Sequence, residues 1–334
     1  MTGLSTQSMC PINRGTFWPY FNRAHYNIQN DIIAERAKTQ HWRKPMTICI
    51  AINCECDKKA DSQRVIMVAD RMITSEYLEI EFEHPKPKLM PVTQNCVVAI
   101  SGNALLPTEV FDHVKQKLKI TKNEPQISEI ASTIKDAYAE LRHKKIEDHI
   151  LKPMGISSIE AFYKCQSFMN PEIVAKTFEE IKKYDYGLQL LIGGVDNTGA
   201  HIFAIDNPGV SFNLNDLGYD AIGSGENHAI LTFIGANYHS NTTLEVALYL
   251  AYKAKKISEK APGIGVKYTD IWVIENDAIY EIPQGDEKNV TGIKKLEMMY
   301  NTELKQTDVP LEQLIEIIKA KIKRTDLDIL RGYA

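Results

Sequence analysis

Met46-Thr47-Ile48-Cys49-Ile50-Ala51-Ile52, returning a hairpin later as Val65-Ile66-Met67-Val68-Ala69-Asp70-Arg71, decides the fold. Both runs are apolar and largely β-branched, with no polar alternation until their ends, so they predict strands covered on both faces. The hairpin carries a threonine at one tip and a carboxylate at the end of the returning strand. Backbone pairing alone is enough to bring those two reactive side chains together.

Around this hairpin lie 334 residues of 44% hydrophobic composition, enough to bury a full core. The net charge of -4 is unevenly spread: residues 1–45 hold six Lys/Arg against two Asp/Glu, which leaves the remainder at -8. So acidic a body argues against nucleic acid as the main partner. The six cysteines, Cys10, Cys49, Cys54, Cys56, Cys96 and Cys165, are too few for a disulfide scaffold of this size. Several fall inside predicted strands, where a free cysteine packs as a small hydrophobe, and reduced thiols of a cytoplasmic protein are expected. No CxxC pair accompanies Cys49, Cys54 and Cys56, so no metal and no cofactor are expected. No apolar run approaches the ~18 residues of a membrane span, and there is no signal-peptide core, so no membrane partner is expected.

Residues 1–45 differ from the rest, being polar, Asn- and Arg-containing and without sustained periodicity. A flexible propeptide, a transit peptide and an untranslated stretch are all open readings. The last has a specific motive. Trp42 is encoded TGG, and an AGG codon at Arg43 would complete GGAGG, a bacterial ribosome-binding sequence two codons ahead of Met46. Translation would then begin at Met46.

Beyond the hairpin, Tyr77–Phe82 alternates with period two and predicts a half-exposed strand. His84-Pro85-Lys86-Pro87-Lys88 is a stiff extended connector. Lys88–Val92 and Cys96–Ile100 predict a strand pair closed by Ser101-Gly102-Asn103. Two helices follow, one with Leu105, Leu106, Val110, Phe111, Val114 and Leu118 on one stripe, the next with Ile127, Ile130, Ala131, Ile134, Tyr138 and Leu141. Residues 145–187 are an insertion with a helix over Pro171–Lys183. Leu188–Asp196 and His201–Asp206 flank Asn197-Thr198-Gly199 as strand, turn and strand. Tyr219–Gly225 leads into a helix with Ala229, Ile230, Phe233 and Ile234 inward. Another opens at Thr243 and ends near Pro262-Gly263. Asp270–Ile274 and Ala278–Ile282 close the body. From about 285 the chain is charged, and it ends in a packing helix capped by Asp308, with Leu311, Leu314, Ile315 and Ile318 inward. Strands, helix pair, strands, helix pair and strands predict an α+β protein, with two stacked antiparallel sheets and helices outside each.

Taken singly, Thr47 is a strand residue, Lys88 a solvated lysine and Asp70-Arg71 a turn ion pair. Asp70 is the exception, because a buried carboxylate needs a cationic or hydrogen-bonding partner.

Together the residues resemble the proteasome β-subunit branch of the N-terminal-nucleophile (Ntn) hydrolases, over roughly 47–283. Thr47-Ile48-Cys49-Ile50-Ala51-Ile52, Val68-Ala69-Asp70-Arg71, Lys88 fourteen residues before Gly102, Leu191–Asp196 and Ala221-Ile222-Gly223-Ser224-Gly225 carry the likeness by their order and spacing. The resemblance implies a four-layer αββα sandwich over 47–284, between a leader of 1–46 and a helical extension of 285–334. It implies Thr47 as nucleophile once its own amine is free, Asp70 and Lys88 as acidic and basic partners, Gly102 as oxyanion donor and Ser224 as supporting hydroxyl. Lys86 competes with Lys88 by distance from the aspartate, but the strand frame favours Lys88. Where the family has Asp-x-x-Ser-Gly this chain has Glu259-Lys260-Ala261-Pro262-Gly263, so Glu259 keeps the carboxylate while Pro262 lacks the hydroxyl. The family frees its threonine by self-cleavage after glycine, whereas Pro45-Met46 stands here. Removal of an initiator Met46 would expose Thr47 instead. The resemblance implies a threonine-type peptidase acting on peptide or protein substrates as a homo-oligomer. A non-catalytic ring-forming relative and a small-molecule amidase are the alternatives.

Overall fold

Aliphatic runs dominate the strands and stripes of apolar residues dominate the helices of this computed structural model, which describes residues 46–55, 63–75, 80–102, 106–118, 125–285 and 291–305. In chain order come β1 (Cys49–Glu55), β2 (Gln63–Ala69), β3 (Met72–Ser75), β4 (Ile80–Glu83), β5 (Leu89–Thr93) and β6 (Cys96–Gly102). Helices α1 (Leu106–Leu118), α2 (Ile127–Ile146), α3 (Ile159–Cys165) and α4 (Pro171–Lys183) follow. Then come β7 (Leu188–Asp196), β8 (Gly199–Asp206), β9 (Val210–Asn213), β10 (Tyr219–Ile222), α5 (Glu226–Gly235), α6 (Leu244–Ser258), β11 (Asp270–Ile274), β12 (Ile279–Glu281) and α7 (Gly292–Lys305). All belong to one compact unit, Lys44–Ala334. The expected leader, Cys10, Cys56, residues 77–79, Asn103, Leu105 and the helix expected after Asp308 lie outside the described residues.

The strands form two five-stranded antiparallel sheets, ordered β10-β1-β2-β11-β12 and β5-β6-β7-β8-β9, and β3 pairs separately with β4. In the first sheet Cys49 stands opposite Ala69 and Ile50 opposite Val68, so Ile48 faces Asp70, whose N–H donates to Ile48 O at 3.2 Å, and Thr47 stands one residue further along. Alternation along these strands sorts their side chains into separate cores. Ile48, Ile50, Ile52, Ile66 and Val68 pack with residues of α5, α6 and α7. Cys49, Ala51, Val65 and Met67 pack with Val97, Ala99, Leu191 and Ile202 of the second sheet. On that sheet's other side, Val98, Leu190 and Ile192 pack with Val110, Val114, Ile130 and Ile134 of α1 and α2. The expectation of strands covered on both faces holds, for Ile48 to Ile52 and Val65 to Ala69 have no exposed surface. Gly193 permits the sheets to close up, since a Cβ there would stand 2.8 Å from Met67 Sδ and from Val65 Cγ1.

Four elements differ from expectation, the first being β3, an unexpected strand that pairs with β4. Helix α3 is seven residues long, too short for a period, and is capped by Ser158, whose hydroxyl accepts the Ala161 N–H at 3.1 Å. Strand β9 is an edge strand defined by pairing with β8. Helix α7 falls in the stretch expected to be a charged extension, yet Ile293, Leu296 and Met299 bury themselves in the core that α6 shares with the first sheet. Helix α4 has its expected bounds, with the Asn170 side chain accepting the Glu172 N–H at 2.8 Å and Pro171 in its first turn. Among the described residues, no helix is long and apolar enough to cross a membrane.

Candidate active site

Hairpin pairing sets the centre of the site. The Thr47 hydroxyl donates to Asp70 Oδ1 at 2.5 Å, and the Ile48 N–H donates to the same oxygen at 3.2 Å. Lys88, at the entry to β5 in the other sheet, places its ammonium 2.7 Å from Asp70 Oδ1 and donates to Thr47 Oγ1. Lys86, the competing cation, is exposed. The second carboxylate oxygen, Oδ2, accepts the Gly265 N–H at 2.8 Å and the Met72 N–H at 3.1 Å. Asp70 is wholly buried and its cationic partner Lys88 only 15% exposed, so the charge that the apolar strand demanded a partner for is met by an ammonium and three backbone amides.

Arg71 does not pair with Asp70. Its guanidinium forks onto Asp270, Nε to Oδ2 at 2.8 Å and Nη2 to Oδ1 at 2.5 Å, which holds it above its already high ionisation range. The turn ion pair read from Asp70-Arg71 is therefore replaced by a link from the turn after β2 to Asp270 of β11.

Ser224 reaches Thr47 through the backbone. Its hydroxyl donates to Pro262 O at 3.2 Å and lies 3.4 Å from Thr47 O, while the Gly225 N–H donates to Thr47 O at 3.3 Å. Gly223 has φ +97°, and a Cβ there would collide with the Thr47 carbonyl and stand 2.7 Å from its methyl. The Gly-Ser-Gly turn is thus a close seat for the threonine backbone. Gly102, at the end of β6, has φ +117° and makes no hydrogen bond to Thr47. Glu259 also stands apart from Thr47, for its two oxygens turn to Lys255 at 2.5 Å and Lys256 at 2.6 Å.

The residues that sequence reasoning missed are Gly265 and Lys255. Gly265 carried no signal, since only its backbone is used. Lys255 did carry one: it interrupts the buried stripe Ala247, Ala251, Ala254 and Ser258 of α6, four residues before a glutamate.

Cys49 lies two residues beyond Thr47 on the same side of β1. Burial pushes its thiol up to about 12, with Lys88 opposing the shift and Asp70 adding to it. It is also fully buried, donating to Ile100 O at 3.4 Å. A thiolate is the reactive form, so Cys49 should stay unmodified at neutral pH. Native protein treated with iodoacetamide is expected to show no label on Cys49 by peptide mass analysis. Labelling within minutes would contradict this geometry.

Fold and site together define the class: an α+β protein with a hydroxyl, carboxylate and ammonium cluster drawn from two antiparallel sheets. Its relatives point the same way. The proteasome subunit family model matches residues 164–274. A proteasome subunit beta 2 of Thermofilum pendens is 28% identical over 125 residues, covering 36% of this chain and 59% of the relative. A proteasome subunit beta 2 of Staphylothermus marinus is 38% identical over 89 residues, 27% of this chain and 41% of the relative. A proteasome subunit beta of Ferroglobus placidus is 31% identical over 120 residues, 33% of this chain and 56% of the relative. This chain thus spans between two and three fifths of the relatives it matches. The matched stretch of this chain is proteasome β-like. The family match takes in Ser224 and Glu259, whereas Thr47, Asp70, Lys88 and Gly102 precede it.

Proposed function

We propose that this protein is a threonine-type peptidase of the four-layer αββα sandwich, residues 47–284, in which Thr47 becomes the N-terminal nucleophile when Met46 is removed. The observation that carries this reading is the Thr47 hydroxyl held against both Asp70 Oδ1 and the Lys88 ammonium, one residue beyond a methionine. A threonine hydroxyl is a weak nucleophile until a base takes its proton, and the α-amine of an N-terminal threonine supplies that base directly or through one water. The unperturbed α-amine titrates at about 7.7–8.0 and is mostly protonated at neutral pH. A cation beside it favours the free base, and Lys88, held by Asp70, stands at the hydroxyl.

In the reaction the hydroxyl proton passes to the amine as Oγ1 bonds to the carbonyl carbon of the substrate amide. The oxyanion is taken by the Gly102 N–H, a role that this reading assigns to that amide. Collapse breaks the C–N bond, the amine returns the proton to the departing nitrogen, and water hydrolyses the ester left on Thr47 by the same route. Ser224 supports the threonine backbone and Glu259 acts through Lys255 and Lys256. The protein is read as a cytoplasmic homo-oligomer whose substrates are peptides or proteins.

Met46 lies against Gly263, where a Cβ would run into its side chain. Methionine removal before a small residue frees the amine with no self-cleavage. Mass analysis of protein from its native source is expected to show a chain of residues 47–334. A product that retains residue 46 and still hydrolyses amides at full rate would refute this mechanism.

A further inference from the structure

Lys255 has no exposed surface, although it is a lysine in the last turn of a helix. Burial pulls its ammonium below the ordinary lysine range. Glu259 and, across the loop, Asp70 oppose that shift, while Lys256 adds to it. Stability does not explain so deep a charge. Lys256, at the surface, already pairs with Glu259 and already places a cation at the helix C-terminus. A buried ion pair can often be exchanged for apolar side chains without loss.

The second contact of the ammonium is more informative. Lys255 Nζ donates to Gly265 O at 2.9 Å, and Gly265 N–H donates to Asp70 Oδ2 at 2.8 Å. The loop 262–265 meets the site at two further points, with Pro262 O accepting from Ser224 and Gly263 lying against Met46. Ile264 packs over Gly225, whose N–H holds Thr47 O. The loop has no regular secondary structure of its own to keep it in register. Lys255 ties it to α6. Glu83 flanks the other side, its Oε1 accepting the Lys267 N–H at 2.8 Å.

We propose that Lys255 is a positioning residue for the Thr47 site: its ammonium anchors the 262–265 loop, which in turn fixes Asp70, and it supplies a second buried positive charge behind that carboxylate. This rests on the reading of Thr47 as nucleophile. With Lys255 neutralised, the loop loses its anchor and Asp70 loses the shorter of the two amide contacts on Oδ2, leaving only that of Met72, so the Thr47 hydroxyl and Lys88 drift out of line. Positioning errors of about 1 Å cost roughly a hundredfold in rate. Losing the positive charge behind Asp70 also makes the protonated form of the terminal amine easier to hold, which moves the onset of activity to higher pH.

The test compares wild type, Thr47→Ala, Lys255→Met, Lys255→Gln and Lys255→Arg on one fluorogenic peptide, with circular dichroism melts of each. Lys255→Met and Lys255→Gln are expected to fold, to lose about 10- to 100-fold in kcat with KM unchanged, and to shift the rising limb of the kcat/KM profile to higher pH. Lys255→Arg is expected to return the limb toward its wild-type position. Wild-type turnover that Thr47→Ala abolishes, with kcat and limb unchanged in Lys255→Met, overturns this inference and leaves the reading of Thr47 standing. Lower kcat with an unmoved limb assigns Lys255 to the scaffold and overturns it as well. So does failure of both uncharged variants to fold. Turnover in Thr47→Ala equal to wild type, or none in wild type, overturns both.

Discussion

Thr47→Ala is expected to lower hydrolysis of a fluorogenic peptide by roughly ten-thousand-fold or more, because it removes the atom that attacks the amide. The fold should survive. Asp70 keeps the Lys88 ammonium and the Ile48, Met72 and Gly265 amides when the hydroxyl is gone, so the loss amounts to two hydrogen bonds, the one given to Asp70 and the one taken from Lys88. The unfolding free energy is expected to fall by about 1–3 kcal/mol. Thr47→Ser keeps the hydroxyl and should keep measurable turnover. A Thr47→Ala protein that folds and cleaves the peptide at the wild-type rate would leave the cluster as a structural ion pair.

Asp70→Asn is expected to be costly to fold and function alike. Both carboxylate oxygens accept, from an ammonium, a hydroxyl and three amides, and the side-chain nitrogen introduced by the substitution would turn two hydrogens toward groups that are themselves donors. Lys88 would also remain largely buried without its counter-charge. Removing one partner of a buried pair costs about 3–5 kcal/mol, which urea unfolding followed by circular dichroism would read. Arg71 offers no relief, because both of its contacts to Asp270 are already in use. Peptide hydrolysis should fall below detection. Stability within about 1 kcal/mol of wild type would show that the Asp70 charge is dispensable.

How much of the fold is legible in the chain follows from which interactions are local. The paired strands, the alternation that sorts Ile48, Ile50 and Ile52 from Cys49 and Ala51, and the helix at Pro171–Lys183 are written in periodicity and caps, so they can be read directly. The meeting of Thr47 with Asp70 is readable too, since a hairpin brings together residues that flank its paired strands. Helix α7 is hidden because its three core residues are spaced among lysines and a glutamate, and only the presence of α6 opposite makes that stripe a buried one.

Local pattern was therefore sufficient for the hairpin, for the order of strands and helix pairs, and for the approach of Thr47 to Asp70, because backbone pairing and side-chain alternation operate between neighbours, while the role of Thr47 as nucleophile came from the family resemblance. It took the folded chain to assign Arg71 to Asp270 and to turn Glu259 toward Lys255 and Lys256 instead of the threonine. Those choices depend on charges brought together from distant parts of the chain, whose desolvation must be met wherever they land, and no local pattern records where that is.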